Sequence, residues 1–116
     1  MLVQNGIVSV GVQWNIQQFY AGRRPFRWDI FPTSDETADW LSEYYCKQMA
    51  KKPASNAGIV IHPSIGGRNT IRKLGIIVPD DGTGVIVPAA QRLKRLVDEC
   101  SGSNSLIITY QSDINR

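Results

Sequence analysis

The residues best suited to chemistry fall in two short clusters. The first is Asp80-Asp81-Gly82-Thr83-Gly84, which follows an apolar run and precedes an amphipathic one. In an open α/β sheet, ligands bind at that position, outside the carboxyl end of a strand and ahead of a helix. Glycines let backbone N–H groups approach an anion, and paired carboxylates suit Mg²⁺. The loop lacks the Lys of a phosphate-binding P-loop and the three-glycine spacing of a dinucleotide fingerprint. Its plain alternative is a turn whose Asp and Gly residues serve backbone geometry. The second cluster is Gln13-Trp14-Asn15, an indole between two amides. It offers an apolar wall with hydrogen-bonding groups beside it, the make-up of a small-ligand pocket.

Other reactive residue types are sparse. The single histidine, His62, stands beside Pro63 and reads as a surface residue. Cys46 and Cys100 are too widely separated for a zinc-ligand spacing. No serine occupies a G-x-S-x-G elbow. With neither a triad nor a metal cage, the sequence points to binding and not to an enzyme. Trp14, Trp28 and Trp40 follow no repeat, and at least two of them read as core or interface fillers. Arg23-Arg24-Pro25-Phe26-Arg27 is the densest basic stretch and reads as a solvated loop, with an anion contact as the alternative.

The elements that position these clusters are legible in outline. Gly6 to Val12 is short, β-branched and apolar, as in a strand buried on both faces. Phe26 to Phe31 reads as a second strand, stopped by Pro32. Thr33-Ser34-Asp35-Glu36 is a capping box. Behind it Ala38, Leu41, Tyr44 or Tyr45, and Gln48 or Met49 recur at helical spacing until Pro53. Asp35, Glu36, Asp39 and Glu43 precede Lys47, Lys51 and Lys52, the charge order a helix dipole favours. Pro53 to Arg72 is a turn-rich surface excursion, with Gly58 to His62 a brief strand candidate inside it. Leu74 to Val78 reads as a buried strand, Pro79 to Gly84 as a loop, and Val87 to Cys100 as a helix. Ser101-Gly102-Ser103-Asn104 stops that helix, and Leu106 to Tyr110 is a further strand. Strand, helix, strand is a βαβ unit with parallel strands.

Composition fits one small α/β domain. The chain has 116 residues, 42% hydrophobic and 20% charged, which excludes a disordered tail. A net charge of +3 does not argue for nucleic acid. No apolar run reaches the ~20 residues a bilayer crossing needs, and Met1-Leu2-Val3-Gln4-Asn5 lacks the basic n-region of a secretory signal.

The order of these segments resembles the type I periplasmic binding proteins, in particular the substrate-binding components of branched-chain amino-acid ABC transporters. The likeness rests on Gly6 to Asn15, Phe26 to Pro32, the helix opening at Thr33-Ser34-Asp35-Glu36, and Leu74 to Asp81 with the helix after it. It covers the chain apart from Pro53 to Arg72. The resemblance implies an α/β doubly wound three-layer sandwich with parallel sheets, two lobes around a cleft. Only part of that fold is present, so the sequence reads as a fragment. Residues 1–32 would be the tail of the first lobe and the hinge, near Pro32-Thr33, and 33–116 the first half of the second lobe, with 53–72 an insert.

The function so implied is capture of a small polar, amino acid-like solute for an ABC transporter permease, outside the cytoplasm and without a cofactor. Carried over residue by residue, Gln13, Trp14 and Asn15 would face the solute from one lobe and Asp81, Thr83 and Gly84 from the other. Two features depart from the family. The first-lobe position lacks the usual small hydroxyl residues, and the second lacks an aromatic. The rival reading is an intracellular α/β enzyme or regulatory domain using Asp80-Asp81-Gly82-Thr83-Gly84 for phosphate or Mg²⁺. If the protein is exported, Cys46 and Cys100, both near helix C-termini, pair as a disulfide; otherwise they remain two reduced thiols. The uncovered apolar strand at Leu106 to Tyr110 is expected to promote self-association.

Overall fold

The computed structural model describes residues 3–11, 15–54 and 70–112. It is an α/β structure with two small parallel sheets. After a 3-10 turn at Val3–Asn5 come β1 (Ser9–Gly11), α1 (Gln17–Ala21), β2 (Arg27–Asp29), α2 (Ser34–Gln48), β3 (Gly75–Asp80), α3 (Ile86–Ser101) and β4 (Leu106–Gln111). Strand β1 pairs with β2, with Val10 opposite Trp28. Strand β3 pairs with β4 from Gly75 opposite Leu106 to Asp80 opposite Gln111.

Helix α2 starts where its capping box predicts. The Thr33 hydroxyl accepts from the Glu36 N–H, and the Glu36 carboxylate accepts from the Thr33 N–H at 2.8 Å. Ser34, Ala38, Ser42 and Tyr45 form its buried face. Helix α3 lies against it and buries Ala89, Ala90 and Val97. A compact core joins Tyr45, Ala50 and Val97, with Met49, Leu74, Leu93 and Cys100 packed around them. Beside this core Cys46 and Cys100 form a disulfide, their Cα atoms 6.0 Å apart. The Arg92 guanidinium meets Asp39 through two hydrogen bonds, 2.7 and 2.9 Å, and holds its carboxyl below the usual carboxylate range. Both side chains are more than a third exposed, so solvent screening keeps the contribution of this pair to stability small.

The turn from α3 to β4 is built around Asp98. Gly102 ends α3 with φ +68°, a left-handed conformation that glycine adopts without steric cost. Asp98 takes a hydrogen bond from Lys94 and another, 2.7 Å, from the Ser105 N–H. Those contacts, Lys94 first, hold its carboxyl down to about 2 from the ordinary 3.8. A depressed folded-state value means the contribution is complete above pH 3.8 and is lost as pH falls through about 2. Acid unfolding followed by circular dichroism should therefore show Asp98→Asn losing less stability than the wild type across that window. Parallel acid limbs in the two proteins would remove Asp98 from the account.

Three expectations need correction. The Gly6 to Val12 strand is not buried on both faces: among its described residues only Ser9–Gly11 is strand, and Ile7, Val8 and Val10 are exposed. A β-branched run favours extended backbone, but burial depends on layers above and below, which β1 lacks among the described residues. Strand β3 is one-sided as well, with Ile76 buried and Ile77 70% exposed. It also continues through Pro79 and Asp80, residues expected in the loop. The reason lies in the hydrogen-bond register. Leu74 and Asp80 turn their carbonyls toward β4, accepting from Leu106 and Ser112, so alternation turns the nitrogen of Pro79 to the opposite edge. Finally, of the two roles expected for the tryptophans, core filler or interface filler, Trp28 and Trp40 do not take the first, since both are exposed.

The base of the 53–72 excursion is pinned. Pro53 and Ile71 form an antiparallel bridge, and the Ala54 N–H donates to Thr70. The Gly58 to His62 strand candidate and His62 itself lie outside the described residues. Among the described residues no helix is long and apolar enough to cross a membrane.

Candidate functional site

An open cleft of about 690 Å³ separates α1 and its flanks from the segment leading into α3. Asn15, Ile16, Gln18, Phe19 and Arg23 line one wall, and Asp81, Thr83, Gly84, Val85 and Ile86 the other. The structure therefore brings Asn15 to the same cleft as Asp81, Thr83 and Gly84. Gln13 and Trp14 lie outside the described residues.

Backbone contacts hold the first wall in place. The Asn15 side-chain oxygen accepts from the Ile16 N–H at 2.9 Å, opening α1. Its carbonyl accepts from the Ser34 N–H, also at 2.9 Å, and Ser34 is 1% exposed. The Gln17 N–H donates to Asp35. Helix α1 is thus tied to the start of α2, and α2 to α3, whose N-terminus forms the facing wall. From its other side Tyr20 donates to Asp29 at 2.7 Å. Burial first, then that carboxylate, pushes the phenol up to about 12.

The basic stretch is more ordered than a solvated loop. The Arg23 guanidinium lies 3.9 Å from the centre of the Phe19 ring and donates to the Phe19 carbonyl at 2.7 Å. Arg27 approaches the same ring at 5.0 Å. Both hold delocalised cations against a π face, an attraction that keeps an arginine in one place at a partly exposed site. Residues 22 to 26 turn the chain into β2, with a cis peptide bond between Arg24 and Pro25. Sequence reasoning missed Arg23 and Phe19 as cleft residues. Their spacing of four, which joins neighbours on a helix, was the available signal, but α1 is five residues long and gives no periodicity.

The second wall is a pair of nested turns. Asp80 accepts from the Gly82 N–H at 3.2 Å, and Asp81 accepts from the Thr83 N–H at 3.0 Å and its hydroxyl at 2.7 Å. These bonds, the hydroxyl first, hold the Asp81 carboxyl below its usual range. Gly82 and Gly84 both have φ +70°, so each is a backbone requirement. The turn reading of this loop and its place in a cleft are thus both true. Helix α3 begins without a side-chain cap or an acidic residue in its first turn, which leaves its positive dipole end uncompensated. Among the described residues no group of three or more His, Cys, Asp or Glu is placed to hold a metal ion. No protein-family model, curated protein or solved structure matches the chain.

Proposed function

We propose that this chain is a solute-binding module of the type I periplasmic kind, holding a small zwitterionic, amino acid-like solute in the cleft. One observation carries the reading: Arg23 and Asp81, of opposite charge, line opposite walls of the same cleft. A solute carboxylate suits the Arg23 side. A solute ammonium suits Asp81. The order of the sequence motifs and the parallel β3–α3–β4 unit support a partial doubly wound sandwich of that family. The Cys46–Cys100 bond supports a place outside the cytoplasm. In this reading the walls close about a hinge near Pro32-Thr33, and the loaded protein delivers its solute to an ABC transporter permease.

Calorimetry tests it with four probes: free L-amino acids, their carboxyl amides, inorganic phosphate and Mg²⁺. At least one free amino acid should bind, and its amide should bind far more weakly. Arg23→Gln, Asn15→Ala and Thr83→Ala should each weaken binding by about tenfold, the effect of losing one hydrogen bond to a charged group. The melting temperature of the Thr83→Ala protein should stay near that of the wild type. Binding of phosphate or Mg²⁺ alone, or affinity unaltered in all three variants, overturns the proposal.

A further inference from the structure

Arg23 stands just beyond α1, and the backbone there keeps it in helical register with Phe19. Gly22 follows the helix in a right-handed conformation, φ −76°, and the Arg23 N–H donates to the Tyr20 carbonyl at 2.9 Å. Residues four apart are then neighbours. The Phe19 ring under the Arg23 guanidinium is itself held. It meets the Tyr20 ring edge-on, with centroids 5.3 Å apart, and Asp29 on β2 fixes the Tyr20 phenol. Phe19 is half-buried and lines the cleft beside Arg23. The guanidinium spends one nitrogen, Nη1, on the Phe19 carbonyl. Its Nε–Nη2 edge is the pair of parallel donors that a carboxylate takes side by side.

We infer that Phe19 is a positioning residue of this cleft: its ring and its carbonyl hold the Arg23 guanidinium in place before a solute arrives, ready for the solute's carboxylate. An arginine that is not held surrenders rotamer freedom to the ligand it grips, and that loss is subtracted from the affinity. Arg23 surrenders it on folding instead. The ring acts through its π face, which attracts a cation, and not through its bulk alone. Leucine at position 19 keeps an apolar side chain and the same backbone carbonyl but has no π face, whereas tyrosine keeps the face. The effect of residue 19 on the solute therefore passes through the guanidinium. Once Arg23 is glutamine, the ring has no cation to hold. This role rests on the solute reading, because it belongs to the same cleft.

Calorimetry of the whole chain with free L-amino acids supplies the test. Phe19→Leu should weaken binding by about threefold to fivefold, the size of one exposed cation–π contact. Phe19→Tyr should restore wild-type affinity. In the Arg23→Gln background, Phe19→Leu should cost nothing further, since the two residues act as one unit. Nuclear magnetic resonance of the solute-free protein adds a readout that needs no ligand. The Arg23 side-chain protons should be shifted upfield by the ring beneath them, and Phe19→Leu should abolish the shift. Wild-type affinity in Phe19→Leu, a Phe19→Tyr protein as weak as Phe19→Leu, a full further loss in the Arg23→Gln background, or unshifted Arg23 signals overturns the role of Phe19. If Arg23→Gln weakens binding while Phe19→Leu does not, that role fails and the solute reading stands. A wild type that binds no free amino acid overturns both.

Discussion

Reducing the Cys46–Cys100 bond should lower the unfolding free energy by about 4 kcal/mol, because the cross-link closes a loop with a sequence separation of 54. The origin is the unfolded chain, which the bond deprives of much of its conformational freedom. For a domain of this size such a loss corresponds to a melting temperature roughly 20 °C lower. Thermal unfolding with and without reductant measures it, and thiol titration of the unreduced, unfolded protein supplies the control. Two reactive thiols per chain before reduction, or coincident melts, would defeat the prediction. The Cys46→Ala, Cys100→Ala double variant should match the reduced wild type, since alanine keeps the site apolar.

The second large effect is expected at Val97, which is fully buried among Tyr45, Ala50 and their neighbours. Val97→Ala removes two methyl groups and leaves a cavity that the surrounding helices cannot collapse to fill. The expected cost is about 2 to 3 kcal/mol, seen as a lower urea midpoint at unchanged slope. Arg95→Ala, exposed on the same helix, should stay within about 0.5 kcal/mol of wild type. Cys100 packs in the same cluster, so the Val97 and disulfide effects should not add. Equal midpoints for the two alanine variants would show that this cluster is not the structural centre.

What the sequence revealed follows from how local each signal is. Thr33 and Glu36 specify the start of α2 because a capping box is complete within four residues. The period of α3 narrows its inner face to Ala89 or Ala90, Leu93, Leu96 or Val97, and Cys100, and the packing against α2 decides that both alanines and Val97 are the buried ones. Strand extents are also nearly legible for β3 and β4, where apolar runs end in turn residues. Burial is not local, and there the reading fails. Ile77, Ile108 and Val10 belong to apolar runs like those of buried strands, yet each is exposed because nothing described covers its face. Pro79 marks a loop to the eye, and only the register against β4 shows that its nitrogen faces no partner. In the cleft, Asn15, Asp81, Thr83 and Gly84 were accessible through their position after apolar runs. Arg23 was in view as a basic residue, but its stacking on Phe19 depends on a helix too short to announce itself.

The bond between Cys46 and Cys100 also makes the chain a ring with two tails. One tail carries Asn15 and Arg23; the ring carries Asp81 and Thr83. A single proteolytic cut anywhere from residue 47 to 99 therefore opens the ring without releasing a piece. The nicked protein keeps both walls of the cleft on one covalent molecule and migrates as a single species until a reductant separates it into two.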